Sequence, residues 1–111
     1  MKGWNTLTSV QDLNDAISLS TDKPVILFKH STRCSISTMA YNRVELATNE
    51  LTNAAECYYL DLIQFRDVSG AIATELNVHH ESPQVLIVKG KECTYDASHN
   101  DIRAKEILEN I

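Results

Sequence analysis

Glycine and proline are scarce in this chain, three and two among 111 residues. That scarcity excludes collagen-like repeats and Gly- or Pro-rich linkers. Long apolar runs are missing too: Val25-Ile26-Leu27-Phe28 is far below the roughly 20 residues a membrane helix needs. The opening Met1-Lys2-Gly3-Trp4-Asn5 has none of the apolar stretch of a secretory signal. No basic cluster offsets a net charge of −5, so neither nucleic acid nor a membrane is expected as a partner. Cysteine is sparse as well, at positions 34, 57 and 93. No two of these have the C-x-x-C spacing of a zinc knuckle or a dithiol pair. An odd count without a secretory signal points to reduced thiols and a cytoplasmic location. No metal or resident cofactor is expected. What remains is an ordinary hydrophobic fraction of 43%, enough for one core in a single domain, 1–111.

Strand and helix signals alternate along the chain. A weak strand spans Gly3 to Thr8. Ser9 then precedes Asp12 by three positions, an N-cap pattern, with Val10, Leu13 and Ile17 at helical spacing. Val25–Phe28 is apolar without alternation, as suits a strand covered on both faces. A polar loop, His30 to Arg33, leads to a helix starting near Cys34, with Ile36, Ala40, Val44, Ala47 and Leu51 on its apolar stripe. Cys57–Leu62 reads as a strand, and Val68, Ile72 and Leu76 mark a helix. Gln84–Lys89 and Glu92–Tyr95 form a hairpin about Gly90. Ser98-His99-Asn100-Asp101 resembles a second cap ahead of Ala104, Ile107, Leu108 and Ile111. The order β-α-β-α-β-α-β-β-α requires crossover connections, so the expectation is an α/β domain with a mixed sheet covered by helices.

Cys34 follows the apolar strand by a short loop and opens a helix. The first turn of a helix presents unpaired N–H groups and a partial positive charge. A thiolate there is favoured, and thiolates are the species that attack disulfides. Arg33 beside it adds positive charge. Most cysteines in small proteins are simply small hydrophobes, and that reading suits Cys57 and Cys93, the latter being the more exposed. Three residues after Cys34, where a dithiol oxidoreductase carries its resolving cysteine, stands Ser37. A serine hydroxyl can hydrogen-bond a thiolate but cannot displace sulfur, so no disulfide can close within Cys34-Ser35-Ile36-Ser37.

The other marked residues carry blander readings. His30 is a candidate proton relay, though a strand-end or solvent-facing histidine is the commoner case. His79-His80-Glu81 invites a metal reading, but adjacent residues in an extended segment point apart. Asp61 and Glu45 are the candidate acids near the thiol.

Two segments together carry a family resemblance: His30-Ser31-Thr32-Arg33-Cys34-Ser35-Ile36-Ser37 and His80-Glu81-Ser82-Pro83-Gln84-Val85. They resemble the monothiol bacilliredoxins of the thioredoxin superfamily, proteins often described as general stress proteins. Ser35 departs from the family pattern, which commonly has proline there. The resemblance implies a thioredoxin-like three-layer α/β/α fold with a central mixed sheet, closed by a β-hairpin and a helix. It implies a cis proline, Pro83, facing the active-site cysteine. It further implies monothiol exchange on S-bacillithiolated client proteins: Cys34 would take bacillithiol from the client, and a low-molecular-weight thiol would clear it. On that basis Cys34 and Ser37 are the catalytic candidates, and Arg33, Ser35, Ser82 and Pro83 the substrate-binding ones, with bacillithiol as co-substrate. Two other readings compete: a redox-inert peptide-binding module, and an iron–sulfur protein like the monothiol glutaredoxins. The latter carry paired glycines after the proline strand, where this chain has Lys89-Gly90-Lys91-Glu92.

Overall fold

The computed structural model describes residues 1–111. Three parallel strands form one half of its sheet: β1 (Asn5–Thr6), β3 (Glu56–Asp61) and β2 (Val25–His30). The other half is the antiparallel pair β4 (Gln84–Lys89) and β5 (Glu92–Ser98), giving the order β1-β3-β2-β4-β5. Central β2 is buried along its whole length, because both its faces are covered. Ile26 and Phe28 pack with Ala40, Val44, Leu51 and Ile107, from α2 (Ser35–Leu46), α3 (Thr48–Ala54) and α5 (Ala104–Glu109). Val25 and Leu27 pack with Leu13, Ala16, Val68 and Ile72, from α1 (Val10–Leu19) and α4 (Arg66–Leu76). This is the three-layer α/β/α arrangement.

Local chemistry accounts for several boundaries. The Ser9 side chain accepts the Asp12 N–H at 3.1 Å, and the Asp12 carboxylate accepts the Thr8 N–H at 3.1 Å, so both partners of the cap are satisfied. Gly90 and Lys91 take φ values of 58° and 68°, the backbone of a two-residue turn whose twist matches its strands.

Four expectations need correction. The first strand shrinks to two residues at the sheet edge. The helix opened by Cys34 does not run unbroken through Leu51: it bends at Ala47 (φ −104°, ψ 13°), where α3 begins. The apolar spacing 40, 44, 47, 51 continues across the bend, so periodicity could not reveal it. Ile36, placed on that stripe, is 42% exposed, and in the first turn of α2 it is Ser37 that faces the interior with Ala40 and Val44. His99–Asp101 forms a 3-10 turn rather than the start of the last helix, with His99 at φ 55°. No helix is long and apolar enough to cross a membrane.

Candidate active site

Strand β2 runs buried to His30, and a tight turn at Thr32-Arg33 then carries the chain to Cys34. The Cys34 N–H donates to the Ser31 carbonyl at 3.4 Å, and its own carbonyl accepts the Thr38 N–H at 3.0 Å. Cys34 is therefore the N-cap of α2, with extended backbone (φ −117°, ψ 126°). Its thiol is free, half-buried and makes no capping bond. Arg33 and Ser35, on either side, are exposed, as are the apolar side chains of Ile36 and Met39.

Ser37 is fully buried and does not turn to Cys34. Its Oγ accepts the Ser31 N–H at 2.9 Å and lies 2.7 Å from His30 Nδ1. His30, read from sequence as a cap or a surface group, is 7% exposed. Its ring lies 5.1 Å from that of Tyr41 and 5.9 Å from those of Phe28 and Tyr59. Burial among these rings pushes the His30 pKa below its ordinary 6.5, against the pull of Asp61 and the Ser37 hydrogen bond. The imidazole is thus neutral near pH 7, leaving two arrangements for Ser37. With the ring proton on Nδ1, His30 donates to Oγ and the serine hydroxyl is free to donate elsewhere. With it on Nε2, the hydroxyl is spent on His30.

The Ser82-Pro83 peptide bond is cis. Lys29 pairs with Gln84 across β2 and β4, so the register carried one step further sets Pro83 opposite His30, four residues before Cys34. The Pro83 carbonyl accepts the His99 N–H at 3.1 Å. Arg43 on α2 holds this edge, donating to the carbonyls of Ile102 at 2.9 Å and His99 at 3.0 Å. The serine, the proline and the cysteine turn thus share the end of the sheet where β2 and β3 finish.

Neither candidate acid is a buried group at the thiol. The Asp61 carboxylate accepts the N–H groups of Ile63 and Gln64 and fixes the turn after β3. Glu45 is exposed and stands beside Tyr41. His79 and His80 are both exposed but diverge: His79 lies 3.8 Å from Glu81, while His80 Nδ1 lies 2.7 Å from Lys29 Nζ. Cys57 is buried, and burial pushes its thiol up to about 12. Cys93 is half-buried and its pKa is likewise raised by burial. Neither is an active thiolate at neutral pH.

Sequence reasoning missed Lys29. It is fully buried at the end of β2, its Nζ 2.7 Å from His80 Nδ1 and 3.1 Å from Gln84 Oε1. Burial pushes its pKa down to about 8, with Glu81 pulling the other way. The one signal was a lysine closing an apolar, non-alternating strand, a place where a charge needs buried partners.

A mixed sheet with a lone thiol at the helix start after β2 and a cis proline beside it defines a thioredoxin-fold protein with a monothiol site. Solved structures agree. A proposed oxidoreductase with a thioredoxin fold is 32% identical with a TM-score of 0.83, covering 96% of this chain and 91% of that one. Thioredoxin O2 from Arabidopsis thaliana shares the fold at 21% identity and a TM-score of 0.77, over 98% and 94% of the two chains. Fasciola hepatica thioredoxin does so at 17% and 0.75, over 95% and 96%. The profile of the family described as monothiol bacilliredoxin BrxC matches residues 5–107. The chain belongs to that family, whose chemistry is thiol–disulfide exchange.

Proposed function

We propose that the protein removes bacillithiol from mixed disulfides on client proteins through Cys34. The single observation that carries this reading is the pairing of a partly exposed thiol at the N-cap position of α2 with a buried serine where a resolving thiol would stand. In the first step the Cys34 thiolate attacks the bacillithiol sulfur of a client–S–S–bacillithiol bond. The Cys34–bacillithiol disulfide forms and the client leaves as its thiolate, taking up a proton from solvent. In the second step the thiolate of another low-molecular-weight thiol attacks the bacillithiol sulfur. Cys34 is released as thiolate and the two small thiols leave as a disulfide. Arg33 and Ser35 flank the sulfur, and the backbone at Ser82-Pro83 offers an edge for an extended client segment.

The test is release of a client thiol from a bacillithiolated protein, followed by mass spectrometry. Cys34→Ala should abolish release, while Cys57→Ala and Cys93→Ala should leave it intact. Release by the Cys34 variant at the normal rate would overturn the proposal.

A further inference from the structure

On the α4 side of the segment leading to Pro83 lies a recess of about 200 Å³ lined by Leu62, Arg66, Ser69, Gly70 and His80. It belongs to the same end of the sheet as Cys34. The Leu62 N–H donates to the His30 carbonyl at 3.0 Å, and His80 is two residues before Ser82. None of its groups has a role in the exchange chemistry described above.

The recess is rich in donors and contains no carboxylate. Arg66 forms no ion pair within the chain. Behind His80 stands the Lys29 ammonium, buried and bonded only to neutral partners, His80 Nδ1 and Gln84 Oε1. By accepting from Lys29 at Nδ1, a neutral His80 carries its proton on Nε2, which makes that nitrogen a donor. The Ser69 hydroxyl, 3.5 Å from His80 Nδ1, is also almost fully buried. The acid acting on Lys29 is Glu81, whose carboxylate lies 3.8 Å from His79 Nε2 and 3.7 Å from His99 Nε2. A buried cation without a carboxylate partner is costly, and an anion bound in the recess would compensate it. The glycine keeps the space open: a Cβ built on Gly70 meets nothing within 4 Å.

We propose that this recess is a carboxylate-binding subsite, formed by Arg66, Ser69 and His80 over Lys29, that holds the acidic end of the small thiol whose sulfur exchanges at Cys34. This rests on the exchange reading above and deepens it. Bacillithiol carries a malate dicarboxylate at the end of the molecule away from its sulfur. The guanidinium of Arg66 suits one carboxylate by paired N–H donation. The subsite selects the cap rather than the client, so one protein could serve many clients.

Two measurements test it. In the first, the Cys34→Ser protein is titrated with malate while the His80 ring resonances are followed by NMR. A saturable shift is expected, abolished by Arg66→Gln and by Gly70→Met, which fills the space without touching a charge. No saturable shift, or the same response to acetate and sulfate at equal concentration, overturns the subsite. In the second, the wild type and both variants act on one client capped either by bacillithiol or by 2-mercaptoethanol, which has no carboxylate. Loss of one charged hydrogen-bonding partner predicts a fall of about tenfold in kcat/KM for the bacillithiol cap, with the mercaptoethanol cap unaffected. Equal losses on both caps, or no loss on either, overturn the subsite. If the wild type releases neither cap, the exchange reading falls, and the malate titration alone then decides the recess.

Discussion

Ser37 Oγ lies 2.7 Å from His30 Nδ1 and accepts the Ser31 N–H at 2.9 Å, so the residue in the resolving-thiol position ties the cysteine loop to the end of β2. Removing the hydroxyl leaves two buried polar groups without their partner. Ser37→Ala should therefore destabilise the fold by about 1–3 kcal/mol. Urea unfolding with an unchanged slope checks this; a variant as stable as the wild type would contradict the role assigned to the hydroxyl.

The three thiols should differ in reactivity by location. Iodoacetamide at pH 7.5 should label Cys34 first, Cys93 slowly, and Cys57 only once the protein is unfolded. Cys57 is 1% exposed with its thiol held up to about 12, whereas Cys34 is partly open to solvent. Peptide mapping over time reads the order directly, and early labelling of Cys57 would refute it.

His30 gives a pH dependence whose sign can be worked out. Its pKa is lowered by burial from 6.5, so between 6.5 and the folded value the unfolded chain binds more protons than the native one. Stability then rises with pH across that window and declines on acidification below about 6.5. His80, also lowered, mainly by desolvation and then by Lys29, adds in the same direction. Replacing His30 by Gln should flatten the profile immediately below pH 6.5. Parallel wild-type and variant curves would reject the assignment.

Lys29 adds a second window. Its pKa falls from 10.5 to about 8, so between these values the unfolded chain again holds the extra proton. Its contribution to stability should increase from pH 8 upward. The difference in unfolding free energy between wild type and Lys29→Met should grow in favour of the wild type between pH 8 and 9.5. A difference that stays constant across this range would show that Lys29 titrates normally.

Arg43 joins α2 to the segment that supports Pro83, through the carbonyls of Ile102 and His99. Arg43→Ala should cost about 1–3 kcal/mol, and Arg43→Lys should restore only part, since one ammonium cannot reproduce the guanidinium's two directed bonds. Thermal melts compare the three proteins; full recovery by lysine would contradict the geometry.

Much of the fold was legible in the chain. The apolar run of β2 announced a strand covered on both faces, because an unalternating strand has no face for water. Ser9 with Asp12 marked a helix start, and Gly90 marked a hairpin. The last two are local devices whose partners lie within a few residues, and the first is a local pattern whose covering residues come from distant helices. The bend at Ala47 and the 3-10 turn at His99 were not legible: the first preserves the apolar spacing, and the second depends on Arg43, 56 residues distant in sequence from His99.

The same division runs through the site. That Cys34 opens a helix, has no second thiol three residues on, and precedes a Ser-Pro step by about fifty residues was determined by the sequence alone, since identity and spacing suffice. The environment of each polar group was decided by the tertiary structure. His30 became a buried neutral partner of Ser37, and Lys29 a buried cation bonded to His80 and Gln84, because strands β2 and β4 and helices α2 and α4 bring together residues up to 55 positions apart. Burial and pairing are properties of such assembled neighbours, and no local pattern encodes them.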